Sequence, residues 1–271
     1  MVRAVLGLVA AVAVISAGAF AWVMYDLSSL PPAPNAHKLA EAADTRAARD
    51  RAVAFADEQT GRLRAAAPWA EVLDSSVADL CHAEAHSAGI GSKAVWSSVL
   101  CSRTTVLYAA FDGEIEPRLA ELDRAVAGLG WKPRDVKGLV EQLHYMHGPP
   151  GEASPEAAAA AEARPNDVGV RFGLAAQRGT QLTVAVGDRR GLPLVGGSWD
   201  GWKSEHAVDG KPYTDRDNER AVYLDWRRVD GEALTAKAYA GHRYLVVIGV
   251  AQGYATGCPD ATCDGPTWYP G

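Results

Sequence analysis

A long apolar run dominates the N-terminal end of the hydrophobic pattern. Between Arg3 and Asp26 the chain has 22 consecutive uncharged residues, almost all of them apolar. As an α-helix this run is about 33 Å long, which exceeds the roughly 30 Å of a hydrocarbon core. The pattern therefore predicts a transmembrane anchor over residues 1–27. Because Arg3 and the amino terminus form its positive flank, we expect a cytoplasmic N-terminus and an extracytoplasmic remainder.

A cleavable signal peptide is the alternative to this anchor, because small residues such as Ala17 and Ala19 resemble a cleavage site. Cleavage after Ala19 would leave Phe20, Trp22 and Tyr25 in water at the new N-terminus. In an uncleaved helix, Trp22 and Tyr25 instead lie at the membrane interface, which suits amphipathic aromatic rings. The sequence favours the retained anchor.

Residues 28–67 predict a short spacer followed by a helical stalk. The segment begins with a stiff proline-rich stretch, and Asn35 is placed to cap a helix that runs towards Ala67. The large apolar residues are too sparse for a continuous stripe: Leu39, Val53, Phe55 and Leu63. We expect this helix to lift the domain off the membrane and to pack only along its C-terminal half. A dimerising coiled coil is the alternative, although no heptad pattern persists.

The pattern changes at residue 68, where a domain covering residues 68–271 is predicted to begin. Residues 98–113 are rich in β-branched and aromatic residues and predict a strand that ends at an Asp-Gly turn. A helix follows, because apolar residues recur at spacings of three and four: Ile115, Leu119, Leu122, Val126 and Leu129. Residues 135–148 predict a second helix with one apolar face.

The C-terminal half of this domain predicts further strands. Residues 168–186 alternate apolar and polar positions around a turn at 177–179, which predicts a hairpin. Residues 221–255 predict two or three more strands, with Asp230-Gly231 as a hairpin turn. This order of elements is typical of an α+β fold, here with a mainly antiparallel sheet and helices packed on one face.

The four cysteines form two pairs that are close in sequence: Cys81 with Cys101, and Cys258 with Cys263. Neither spacing is the C-x2-C of a zinc knuckle, and such pairs suit disulfides made in an oxidising compartment. Cys81 and Cys101 each begin a stretch with strand character. Adjacent antiparallel strands bring paired Cα atoms to about 4.5–5.5 Å, which a disulfide spans. We predict both bridges.

The sequence CHAEAH places His82, Glu84 and His86 close together, but its spacing differs from that of a zinc-protease motif. In H-E-x-x-H the glutamate follows the first histidine, and a helix brings both histidines to one face. Here the glutamate lies midway and would point away from both histidines on a helix. On a strand the histidines would be about 13 Å apart, too far for one ion. We predict a solvated polar face, with no metal, cofactor or catalytic residue.

One loop in residues 188–219 carries three aromatic side chains that are candidate ligand-binding residues: Trp199, Trp202 and Tyr213. Neighbouring acidic and basic residues would complete a platform for a sugar ring or a peptide, because such rings combine an apolar face with a polar edge. The alternative is that the rings fold inward and anchor the long loop.

Charge restricts the classes of partner. The chain has a net charge of -6 and no lysine- or arginine-rich run, which argues against nucleic acid and against an anionic membrane surface. The predicted partners are the membrane itself, through the N-terminal helix, and an envelope protein or glycan.

The chain combines a predicted N-terminal anchor, a cysteine, a second cysteine twenty residues later in "VLCSRTTVLYAAFDG", and the helix "EIEPRLAELDRAVAGLGW". With this combination, residues 80–131 resemble membrane-anchored or secreted proteins of actinobacteria. The resemblance implies an envelope location and no known activity, so it assigns no site residue.

These observations favour a single-pass, membrane-anchored envelope protein that acts as a non-catalytic binding or structural module. An extracytoplasmic hydrolase is the alternative, with His82, Glu84 and His86 or the cluster at 215–219 as its metal or acid/base site. An accessory subunit of a membrane complex is a third hypothesis, and its partner surface would lie on the stalk helix.

Overall fold

The computed structural model describes residues 32–86, 95–134, 138–147, 168–174, 177–189, 211, 213, 219–259 and 263. The predicted anchor, together with Trp199 and Trp202, lies outside these residues. Within the described ranges, no helix is both long and apolar enough to cross a membrane.

The helices in the described part of the chain are α1 (Ala36–Ala40), α2 (Ala43–Ala66), α3 (Ile115–Gly128), α4 (Leu139–His147) and α5 (Gly231–Gly241). The strands are β1 (Glu71–His82), β2 (Ala85–His86), β3 (Val95–Trp96), β4 (Val99–Phe111), β5 (Lys132–Pro133), β6 (Val168–Leu174), β7 (Gln177–Asp188), β8 (Ala221–Arg227) and β9 (Tyr244–Gly257). Seven strands form one sheet in the order β5-β6-β7-β9-β4-β1-β8, and every neighbouring pair is antiparallel. The prediction of an α+β fold with a mainly antiparallel sheet is confirmed.

Helix α3 forms where the spacing of apolar residues predicts it. Leu119, Leu122 and Val126 are buried on its inner face, and Gly130 follows the helix with a φ of 84° that favours glycine. On its other side, the Asp123 carboxylate accepts hydrogen bonds from the backbone N–H groups of Leu139 and Val140, at 2.9 and 3.1 Å. These bonds provide acceptors for two backbone N–H groups in the first turn of α4, and they link α3 to α4.

Helix α2 packs on the sheet along both of its halves, whereas the sequence predicts packing only along the C-terminal half; Thr45 and Ala52 of the N-terminal half are buried as well. Its inner side chains belong to the main hydrophobic core, where Ala56 and Leu63 are 1 % and 0 % exposed. The buried amide of Gln59 accepts a hydrogen bond from the indole Nε1 of Trp131, at 3.0 Å. Asn35 is an N-cap as predicted, but it caps the short helix α1 that precedes α2.

Helix α5 occupies the opposite face of the sheet, so the prediction that all helices lie on one face is wrong. Its buried residues Leu234 and Ala238 pack with Tyr108 and Val247. The predicted hairpin turn at Asp230-Gly231 is the start of this helix, where the Asp230 side chain accepts a hydrogen bond from the backbone N–H of Ala233. An Asp-Gly pair serves a hairpin turn and a helix start equally well.

Strands β6 and β7 form the predicted hairpin, with Val168 opposite Val186. The turn lies earlier than the sequence predicts, because Gln177 is already paired with Leu174. The hairpin extends the main core to the β5 edge of the sheet.

Candidate functional site

Both predicted disulfides are present in the structure. Cys81 on β1 and Cys101 on β4 lie directly opposite each other, with their Cα atoms 3.9 Å apart, and both are fully buried. Cys258 is bonded to Cys263, with a Cα–Cα distance of 5.8 Å. Cysteine chemistry in this protein is therefore structural and suits an oxidising compartment.

A row of polar side chains crosses five adjacent strands of the sheet next to the first disulfide. Asp79 pairs in register with Asp225 on β8 and with Arg103 on β4, Arg103 pairs with Gln252 on β9, and Gln252 pairs with Thr180 on β7. Directly opposed residues project from the same face of a sheet. We call these five residues the polar row.

The polar row separates two apolar clusters on the face that carries α1 and α2. On β4, for example, Cys101 belongs to the smaller cluster and Ala109 to the main core, while Arg103 lies between them. The polar side chains therefore lie where an uninterrupted apolar face would otherwise continue.

Asp79 is the buried carboxylate of the polar row, with no exposed surface. Its Oδ2 accepts from Nε of Arg49 on α2 at 2.7 Å and from Nη1 of Arg103 at 3.0 Å. Its Oδ1 accepts from the hydroxyl of Tyr254 at 2.8 Å. The same Nη1 of Arg103 also lies 3.2 Å from Oδ2 of Asp225. Two guanidinium groups thus compensate the buried carboxylate and link α2 to the sheet.

Tyr254 reaches Asp79 because β9 is bulged there. Ser102 pairs with Gly253 and Cys101 with Ala255, which leaves Tyr254 as an extra residue without a partner on β4. A bulge re-aims the side chain of such a residue. The bulge therefore adds the third hydrogen bond to the buried carboxylate.

Two groups of this cluster, Tyr254 and Arg49, have a pKa raised above the ordinary value. Burial, followed by the negative charge of Asp79, raises the pKa of Tyr254 far above its ordinary value. Burial opposes the charge on Arg49, but the hydrogen bond and charge of Asp79 outweigh it and raise the pKa of Arg49. A general acid or base works best with a pKa near the operating pH, so these groups suit a structural network better than proton transfer.

The opposite face of β1 and β8 carries the aromatic side chain of Tyr213. Its ring centroid lies 5.4 Å from that of His82, and Cζ of Arg220 lies 5.4 Å from the centre of the same ring. Its backbone N–H donates to the hydroxyl of Tyr223 at 2.7 Å. These contacts favour Tyr213 as an anchor of its chain segment rather than as a free platform. The other two members of the predicted platform lie outside the described residues.

The CHAEAH residues do not converge on one point. His82 ends β1, Glu84 follows it, and His86 ends β2. Nε2 of His82 lies 3.8 Å from Oε1 of Glu84, a contact that joins only two of the three residues. Over the described ranges, no three His, Cys, Asp or Glu residues are grouped so that they could hold a metal ion. In the acidic cluster at 215–219, only Glu219 is described.

A cavity of about 10 Å³ lies between α2 and the sheet, away from the polar row. Its lining is mostly apolar and includes Ala67, Leu107, Leu122 and Ile248. A space of this size holds one water molecule at most. It is too small for a substrate and does not bring titratable groups together.

We expect His82 to make the stability of the protein sensitive to acid. Burial, assisted by the positive charge of Arg220, lowers the pKa of His82 below its ordinary value of 6.5, although Glu84 opposes this. The unfolded chain therefore binds a proton before the folded one does, and the free energy of unfolding falls as the pH drops below about 6.5. We expect His82→Gln to show a smaller fall than the parent between pH 7 and pH 5, measured by urea unfolding. Equal falls in the two proteins would contradict this assignment.

No protein-family model, curated protein or solved structure matches the chain. The resemblance of residues 80–131 to actinobacterial envelope proteins accordingly stays a prediction from the sequence.

Proposed function

We propose that this chain is a single-pass membrane protein whose extracytoplasmic α+β domain acts as a non-catalytic binding or structural module. The observation that carries the proposal is the use of cysteine: all four cysteines of the chain are bonded in two disulfides. Disulfides persist outside the reducing cytosol. The 22-residue uncharged run between Arg3 and Asp26 provides the membrane anchor.

The electrostatics of the sheet support a non-catalytic module. An acid/base site places several titratable groups around one concave pocket that a substrate can enter. Here Asp79, the most buried carboxylate among the residues that the structure describes, is paired with Arg49 and Arg103, and its contacts are internal to the fold. The alternative of a hydrolase that uses His82, Glu84 and His86 has no specific support in the geometry.

An envelope protein or glycan is the proposed partner, and the surface beside β8 suits it best. Tyr223 and Trp226 are half-buried and meet edge to face, with ring centroids 5.1 Å apart. Nζ of Lys211 lies 4.5 Å from the centre of the Tyr223 ring. Partly exposed aromatic rings beside charged groups provide the mixed apolar and polar contact that a glycan or peptide requires.

A partner surface on the stalk helix, the expectation for an accessory subunit, has less support. The apolar positions of α2 face the sheet, where Ala52, Ala56 and Leu63 are buried. The outward positions of this helix are mainly charged and alanine residues. The helix therefore has no broad apolar stripe left for a partner helix.

Cell fractionation tests the proposed anchor. We expect the full chain to sediment with membranes and to remain there after alkaline carbonate extraction, because a buried apolar helix is not released by raising the pH. Thiol alkylation without reduction is expected to label no cysteine in the same sample. Recovery from the culture supernatant with Phe20 or Trp22 at the N-terminus would contradict the anchor. Recovery from the cytosol with free thiols would contradict the location.

A further inference from the structure

Three buried polar atoms, two in the polar row and one next to it, have no hydrogen-bond partner within the described residues. They are Nε of Arg103, Oγ1 of Thr105 and Oε1 of Gln252. Arg103 and Thr105 are only 6 % and 7 % exposed. Buried polar groups in folded proteins are nearly always hydrogen-bonded, to protein or to ordered water. Three such atoms in one region therefore point to a ligand.

The strand register places these three side chains together. Arg103 lies directly opposite Gln252 across β4 and β9, and Thr105 lies opposite Val250. Arg103 and Thr105 are two residues apart on one strand, so their side chains share a face. Cβ atoms of directly opposed residues are about 5 Å apart, and diagonal neighbours are about 7–8 Å apart. Arginine and glutamine side chains are long enough to meet across such distances.

The hydrogen-bonding characters of the three atoms match a single water molecule. The Nε–H group of Arg103 is a donor, the Gln252 carbonyl oxygen is an acceptor, and the Thr105 hydroxyl serves as either. A water molecule that accepts from the arginine and donates to the other two makes three hydrogen bonds, the usual number for a buried water. A metal cation is disfavoured, because the guanidinium group would repel it.

We propose that Arg103, Thr105 and Gln252 hold a buried water molecule between β4 and β9, as an extension of the polar row. This water supplies hydrogen-bond partners to the three polar atoms that make no hydrogen bond within the Asp79 network. It completes the hydrogen bonding of the sheet face on which α2 packs. An anion such as chloride is the competing occupant, because an arginine N–H and a hydroxyl also bind anions.

The direction in which Thr105→Val changes the melting temperature tests the proposal, because valine has nearly the shape of threonine but lacks the hydroxyl group. If the hydroxyl were buried without a ligand, its removal would leave the melting temperature unchanged or raise it. If the hydroxyl binds the water, we expect a fall of about 2–4 °C in the melting temperature of the full chain. Thr105→Ser keeps the hydroxyl and should retain the water. Thr104→Val, at a half-buried position on the other face of β4, is the matched control and should have little effect.

Crystallography of the full chain identifies the occupant directly. We expect a solvent peak about 2.7–3.2 Å from all three atoms, present in the parent and in Thr105→Ser and absent in Thr105→Val. Crystals soaked in bromide should show no anomalous peak at this position. An anomalous peak there would identify an anion and overturn the proposal. A melting temperature that does not fall in Thr105→Val, or no solvent peak in the parent, would overturn it as well.

Discussion

Replacement of Asp79 by alanine is expected to lower the free energy of unfolding by about 3–5 kcal/mol, because it leaves the buried Arg103 guanidinium with only the half-exposed Asp225 as a counter-charge. The Arg103 side chain is 8 % exposed and makes its charge-assisted hydrogen bonds to Asp79 and to the half-exposed Asp225. The substitution also removes the partner of Arg49 and of the Tyr254 hydroxyl. Urea unfolding followed by tryptophan fluorescence measures the change.

Two substitutions in the same network are the controls. The Asp225 side chain is 44 % exposed, so Asp225→Ala should cost only about 0–1 kcal/mol. Tyr254→Phe removes one hydrogen bond to a charged acceptor and should cost about 1.5–3 kcal/mol. A cost for Asp79→Ala no larger than that for Asp225→Ala would show that the buried pairs contribute nothing specific to stability.

A truncated chain that begins at Pro68 is expected to misfold or aggregate, whereas one that begins at residue 32 is expected to fold. Truncation at Pro68 removes α2 and with it Ala56 and Leu63 from the main core. It also removes Arg49, one of the two cations that compensate Asp79. Size-exclusion chromatography and thermal unfolding of the two truncated chains measure the difference.

Point substitutions on α2 are the controls for this truncation. Leu63 is fully buried, so Leu63→Ala should cost about 2–5 kcal/mol. Arg51 lies on the exposed side of the same helix, and Arg51→Ala should change stability by no more than about 0.5 kcal/mol. A soluble chain starting at Pro68, with the melting temperature of the longer one, would restore the stalk interpretation.

Local sequence patterns predicted the elements with strong apolar periodicity. Helix α3 has large apolar residues at helical spacing, and the β6–β7 hairpin alternates apolar and polar positions. The sequence predicts neither the extent of α2 packing nor helix α5, because alanine supplies much of the buried surface of both helices. Ala52, Ala56 and Ala238 are nearly inaccessible, yet an alanine-rich helix shows no clear apolar face in sequence. Small side chains allow a helix to approach a sheet closely. Whether an alanine is buried in this way depends on the part of the fold that faces it.

The sequence does not predict the polar row, although strands β1 and β4 each contain one residue that indicates it. Arg103 interrupts the inward-facing apolar positions of β4, and Asp79 does the same on β1. An isolated charged residue in a strand usually indicates a solvent-facing position. The alternation of the strand was the signal against that interpretation, because it places Arg103 on the same face as Cys101.

The sequence by itself determined the disulfide pairs, the α+β class and the strong helix α3, because these depend on residues near one another in the chain. Only the tertiary structure decided that α2 belongs to the domain, that α5 covers the second face and that five polar residues align. Asp225 is far from Asp79 in sequence, and their alignment requires the register of β8 on β1. A buried charge is tolerated only where such long-range pairing compensates it, and no local pattern records that pairing.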